Sequence, residues 1–301
     1  MASGLGEQPA AARRTAGIVG VGNMGGGMAA RLLERGWRVR ACDLVAAKVH
    51  ALVARGADAA ATPAEAARGA EVLIVCVVDA AQAGQVLFGD QGAAAALAPG
   101  LAVLLCPTIA PEDVEHLAAR LAERGLAAID APMSGGPARA RDGSMSLMVA
   151  CDAAVYAAQQ VLLGDLSTKV FHVGPRPGDG ARTKLVNNLL AAVNLAGAAE
   201  AMALAERLGL DAGRTLAVIE QSSGQSWIGA DRMRRALAGD YAPRAHVSLL
   251  HKDTRLALAA AQAAGFDAAF GRLAHAAFAR AVAAGRADLD DAVLLEQFRA
   301  P

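Results

Sequence analysis

Short apolar runs alternate with amphipathic stretches from residue 16 to about 175. The runs at 16–21, 38–42, 71–77, 101–106, 126–130 and 145–150 predict β-strands. Ile74 to Val78 is continuous and branched, the pattern of a strand buried on both faces. Between the runs, segments 24–35, 46–55, 80–87, 111–123 and 153–163 carry apolar residues at helical spacing. This alternation predicts an α/β domain, a doubly wound Rossmann sheet that is mostly parallel. The rhythm stops at Gly-Pro-Arg-Pro-Gly-Asp-Gly (174–180), a cluster of breakers, and no strand pattern follows it. Residues 181–208 form one pattern without Pro, apolar around most of its circumference, with Gly209 in the stop position. Such a pattern predicts a long, buried interdomain helix. Further helical patterns lie at 212–221, 246–264, 267–284 and 289–298. The expected organisation is a disordered tail (1–15), a Rossmann domain (16–175) and an all-α domain (176–301) for substrate and oligomer contacts.

Composition narrows the function. The 301 residues carry 29 basic and 29 acidic side chains, so no excess positive charge is available to grip a polyanion. Aromatics are 3% of the chain, too few for base-stacking platforms, and no nucleic-acid partner is expected. The hydrophobic fraction is inflated by alanine, which favours helix and buries little area. No stretch reads as a signal peptide or convincingly as a membrane span. The cysteines Cys42, Cys76, Cys106 and Cys151 are widely spaced in or beside apolar runs, which predicts reduced core thiols, a cytoplasmic protein and no metal site. His246 and His251 lack a third ligand and read as surface or pocket-rim residues. Of the 29 basic residues only Lys48, Lys169, Lys184 and Lys252 are lysine. Arginine meets the generic need for positive charge, so each lysine asks for a reason.

Gly20-Val-Gly22-Asn23-Met24-Gly25 follows a predicted strand and opens a predicted helix. In that setting the glycines permit a tight turn, close approach of backbone to a pyrophosphate, and close helix–strand packing. The free amides at the helix start favour phosphate. Asp43 ends the second strand, 18 residues after Gly25, where a carboxylate accepts hydrogen bonds from ribose hydroxyls and repels a 2′-phosphate. NAD is therefore favoured over NADP, with Lys48 and Arg40 near enough to keep NADP possible.

The fingerprint at 20–29, Asp130-Ala-Pro-Met-Ser-Gly-Gly136, Gly180-Ala-Arg-Thr-Lys184-Leu-Val-Asn-Asn188 and Lys252-Asp253 together resemble the β-hydroxyacid dehydrogenases, in that family's order and spacing. The segments 197–202, 207–211 and 222–227 also look like that family, and Ala238-Gly-Asp-Tyr-Ala-Pro-Arg244 looks most like its threonate branch. The resemblance implies that Lys184 is the general acid/base, with Asn188 on the substrate hydroxyl or holding Lys184. It gives Ser134, Gly135 and Gly136 to the substrate carboxylate. It gives Gly20, Gly22, Asn23, Met24, Gly25, Asp43, Val77, Val78, Thr108, Lys252 and Asp253 to the cofactor. Trp227, with Ser223 to Ser226, is expected to line the substrate pocket. One departure is Pro107, which stands where the family often has Ser and removes an amide donor and a hydroxyl.

Elementary chemistry agrees with these roles. Oxidising an alcohol requires a base for its proton, and burial lowers a lysine pKa towards the working range. Lys184 and Asn188, four apart, share a helix face, whereas Asn187 points about 100° away and is the less favoured actor. The expected enzyme transfers hydride between NAD(P) and a small β-hydroxy acid such as L-threonate, 3-hydroxyisobutyrate or D-glycerate, as a homodimer or homotetramer. A 6-phosphogluconate dehydrogenase would need a much larger helical domain. An imine reductase usually lacks the lysine, and a non-catalytic dinucleotide sensor has no need of Lys184, Asn188 and the Ser134 loop together.

Overall fold

The computed structural model describes residues 14–300. The tail expected at 1–15 lies outside them except for its end, where Thr15 already belongs to the first strand. Chain order runs β1 (Thr15–Val19), α1 (Asn23–Glu34), β2 (Arg38–Cys42), α2 (Ala46–Val53), β3 (Asp58–Ala59), α3 (Pro63–Ala67), β4 (Val72–Val75), α4 (Ala80–Phe88), β5 (Ala102–Leu105), α5 (Pro111–Ala122) and β6 (Ala127–Asp130). These strands lie parallel in the order β3-β2-β1-β4-β5-β6. All four residues of β4 are buried, but the branched run expected at 74–78 joins it only through Ile74 and Val75; Cys76 and Val77 are half-buried and Val78 is exposed, because the chain has left the sheet at its carboxyl end. The strand order reverses between β1 and β4, and in open α/β sheets the crevice at that reversal is where ligands bind.

The sheet then extends through β7 (Met133–Ser134), α6 (Gly136–Asp142), β8 (Ser146–Ala150), α7 (Ala153–Ala158), α8 (Gln160–Leu166) and β9 (Lys169–Gly174). β8 runs antiparallel to β6 and β7 and parallel to β9. The single helix predicted at 153–163 is two, broken at Gln159. The edge strand β9 is mostly exposed, so it carries no buried-strand pattern and was not predicted.

A helical unit follows: α9 (Asp179–Arg207), α10 (Ala212–Glu220), α11 (Trp227–Leu237), α12 (Val247–Ala263), α13 (Ala269–Ala283) and α14 (Leu294–Arg299). By length and composition alone the 29-residue α9 could cross a bilayer. Here it is the central helix, with α10 to α14 packed along it. A second core forms around it from Leu195, Met202, Met233, Phe278 and Leu295. α11 was not predicted. In it Arg232 and Arg235 are buried, paired to Asp291 and Asp290.

The start of α9 is fixed to the sheet by Asp130, the fully buried last residue of β6. Its Oδ2 accepts the amides of Gly178 at 2.8 Å and Ala181 at 2.9 Å, two donors a helix start leaves free. Any side chain at Gly180 would meet Asp130 Cγ at 2.9 Å, so the packing of helix on carboxylate requires glycine there.

Candidate active site

At the sheet crevice the chain turns from β1 into α1 through Gly20, whose φ of +89° suits glycine. A Cβ on Gly20 would strike the Cys76 carbonyl after β4, and one on Gly25 would strike the Gly20 carbonyl. Gly22 differs: a Cβ there would meet only Lys48 Nζ, at 4.0 Å, so its α-carbon faces open space. Asn23 is exposed at the start of α1, while Met24 packs against the core. Val77 flanks Gly20, and the exposed Val78 donates its amide to Gln82.

Asp43 lies beside this turn. Its Oδ2 accepts the Val21 amide at 2.8 Å and its Oδ1 the Val45 amide at 2.9 Å. These bonds aim the carboxylate along the rim of the glycine turn, and Leu44 next to it is fully exposed. Lys48 Nζ is 3.8 Å from Asp43, whereas Arg40 donates to the Arg68 carbonyl. Of the two cations that left NADP open, only Lys48 therefore stands beside Asp43. An open glycine floor, free helix-start amides and a carboxylate at the end of β2 fit a dinucleotide.

The first turns of α9 carry Lys184 and Asn188, both buried and both turned toward α12. Asn188 Nδ2 donates to Asp253 Oδ2 at 2.6 Å. Lys252 Nζ lies 2.9 Å from Asp253 Oδ1 and donates across to the carbonyl of Thr108, after β5. One chain of polar contacts thus joins Thr108, Lys252, Asp253 and Asn188. Asp253 was assigned by resemblance to the cofactor; here its direct partners are Lys252 and Asn188. Asn187, disfavoured by its direction on the helix, donates its amide to Asn188 Oδ1 at 3.0 Å. Asn187 is itself exposed, as its direction on the helix predicts, and reaches the cluster only through this bond to its neighbour.

Among the described residues Lys184 Nζ has no hydrogen-bond partner. Burial pushes its pKa down to about 8; the Asp253 charge opposes the shift and the Lys252 charge adds to it. An ammonium that loses its proton near neutrality, with no committed partner, is equipped to exchange a proton with a ligand.

Ser134 ends β7, and Gly135 and Gly136 lead into α6. Trp227 opens α11 and is 45% exposed. Its ring lies 4.7 Å from the guanidinium carbon of Arg139 on α6, so helical domain and sheet domain meet beside the Ser134 loop. Sequence reasoning assigned no role to Arg139, and the only signal for it was its place five residues after Ser134.

The threonate-branch motif serves a structural end. Tyr241 donates to Glu296 at 2.6 Å, and the Arg244 amide donates to buried Asp290 at 2.8 Å. These bonds close the 238–245 loop over α14 and the end of α11.

Residues 15–174 match the family model described as the NAD binding domain of 6-phosphogluconate dehydrogenase. Residues 178–298 match that described as the NAD-binding domain of NADP-dependent 3-hydroxyisobutyrate dehydrogenase. The chain is 39% identical to L-threonate dehydrogenase of Cupriavidus necator, covering 95% of this chain and 96% of that one. It is 37% identical to NAD-dependent L-serine dehydrogenase of Pseudomonas aeruginosa, over 93% and 96% of the two chains. A crystal structure of 3-hydroxyisobutyrate dehydrogenase from Salmonella typhimurium superimposes with a TM-score of 0.89 at 36% identity, covering 94% of this chain and 99% of that one.

Proposed function

The chain belongs to the β-hydroxyacid dehydrogenase family, and from that membership we propose that it oxidises a small β-hydroxy acid with NAD, using Lys184 as the general acid/base. The observation that carries the reading is Lys184 itself: buried, without a partner, and held near a pKa of about 8 beside Asn188 and Asp253. Bound nicotinamide supplies the hydride acceptor in oxidation and the donor in reduction. Neutral Lys184 takes the proton from the substrate hydroxyl oxygen, and in reduction its ammonium returns it. Asn188, fixed by Asp253 and Asn187, holds the hydroxyl in line with Lys184. Ser134 and the amides of the glycine turn bind the carboxylate. Gly20, Gly22 and Gly25 admit the pyrophosphate, and Asp43 takes the ribose hydroxyls, which supports NAD as the preferred cofactor. Lys252, braced between Thr108 and Asp253, supports the cofactor from the helical side.

L-Threonate leads the candidate substrates, because an L-threonate dehydrogenase matches nearly the full length. The protein is proposed to work in the cytoplasm, consistent with four free thiols. It is proposed to be a homodimer or homotetramer, since Val186 and Leu190 on α9 and Phe270 and Leu273 on α13 expose 61–75% of their surface.

The test is NAD reduction with L-threonate, D-glycerate, 3-hydroxyisobutyrate and L-serine, repeated with NADP. Lys184→Ala is expected to abolish turnover while NAD still binds. Undiminished turnover in that variant would remove Lys184 from the mechanism.

A further inference from the structure

We propose that Arg139 is the anchor for the substrate's carboxylate, held in place for that task by Trp227. The inference rests on the reading of this cleft as a hydroxy-acid site and adds a charged group to it. The Arg139 stem lies over the turn that follows Ser134: a Cβ built on Gly135 would meet Arg139 Cδ at 2.8 Å and Cβ at 3.1 Å. From there the guanidinium reaches the Trp227 ring, at 4.7 Å. A second arginine approaches the same ring, Arg232 at 5.9 Å, but its charge is matched by Asp291 and Asp231. Among the described residues no carboxylate lies within ion-pair distance of Arg139.

A guanidinium held over an aromatic ring forms no hydrogen bond with it, so its N–H donors stay available as the fork that matches a carboxylate with two parallel hydrogen bonds. The Ser134–Gly136 turn alone offers neutral donors, and Pro137 contributes no amide. Arg139 supplies the positive charge that a monoanionic substrate would otherwise lack at this end. In this proposal the carboxylate lies at the Ser134–Gly136 turn beside Arg139, and the hydroxyl is directed toward Lys184.

The experiment compares 3-hydroxyisobutyrate with its methyl ester in the wild type, Arg139→Ala and Arg139→Lys. Oxidation is followed by NADH formation, and binding by tryptophan fluorescence. The other tryptophan, Trp37, is buried within the sheet domain, so the signal reports Trp227. Arg139→Ala is expected to weaken the acid roughly 10- to 100-fold, through KM more than kcat, and to leave the ester almost unchanged. Arg139→Lys should recover part of the loss. Equal losses for acid and ester, or no loss for the acid, would overturn the proposal. Acid binding that depends on Arg139 without any NADH would instead overturn the dehydrogenase reading and leave the anchor standing. A wild type that does not bind the acid would overturn both.

Discussion

Two neighbouring charges act on Lys184 with opposite sign, and removing each should move the pH profile in opposite directions. In the proposed mechanism oxidation needs neutral Lys184, so kcat/KM for the acid at saturating NAD should rise with pH through about 8, with unit slope. Asp253→Asn removes an anion that stabilises the ammonium, so the limb should move to lower pH. Lys252→Met removes a cation that destabilises it, so the limb should move to higher pH. Neither partner lies within ion-pair distance of Lys184. At an effective dielectric of about 20, unit charges 4 Å apart interact by about 4 kcal/mol and those twice as far by about 2. Water entering the cleft reduces this further, and a displacement of about one pH unit, roughly 1.4 kcal/mol, is expected for each variant. Asn at 253 can still accept the Asn188 amide, so the geometry around Lys184 should persist. The double variant should return the limb to near its wild-type position, because the two contributions oppose one another. Steady-state rates from pH 6 to 10.5 measure all four profiles. Displacement of both single variants in the same direction, or of neither, would refute the electrostatic account of Lys184.

The lysine proposed to serve the chemistry should weaken the fold. Its pKa falls from 10.5 to about 8 on folding, so the stability it contributes is present above pH 10.5 and lost as pH falls through 8. Lys184→Met should therefore be inactive yet more stable at pH 7, by up to about 3 kcal/mol in urea unfolding; a destabilised variant would contradict this. Asp130 runs the other way. Burial raises its pKa to about 6, outweighing the amides of Ala181 and Gly178, so its contribution is present below pH 4 and lost as pH rises through 6. The stability difference between Asp130→Asn and wild type should grow by roughly 2–3 kcal/mol between pH 4 and 6.5 and then level off, and a difference independent of pH would refute it. Asp291→Ala leaves the buried Arg232 with only the half-exposed Asp231 and should cost about 2–4 kcal/mol, whereas loss of an exposed pair such as Arg38–Asp58 should cost less than about 1, both measured by urea unfolding.

What could be read from the chain was whatever short-range geometry constrains. The glycine turn is legible because a pyrophosphate-binding turn demands particular residue types within six positions, and Lys184 with Asn188 because helix spacing joins them. The long α9 is legible because no polar face interrupts it. Contacts made across the fold were not legible in this way. Asn188 and Asp253 are 65 positions apart, and no periodicity links them. α11 escaped notice for the same reason: the carboxylates that neutralise its buried arginines lie 59 and 55 residues further on, and nothing local in the segment reveals them. Asp130 stood inside a recognisable motif, but its role as a cap on a helix that starts 49 residues later depends on the packing of α9 against β6.

Three of the long-range contacts cross from the sheet domain to the helical one. Asp130 holds the start of α9, Thr108 accepts Lys252, and Arg139 meets Trp227. Lys184 sits three residues beyond the Asp130-bonded Ala181, so the bond that fixes the helix also fixes the depth of the lysine in the cleft. Lysine is suited to that position and arginine is not, because only the ammonium can be brought near neutrality by burial. The scarcity of lysine then has a physical reading at two of its four sites. In the proposed mechanism Lys184 is the group that loses a proton, and Lys252 is the charge that makes the loss easier while binding the loop after β5.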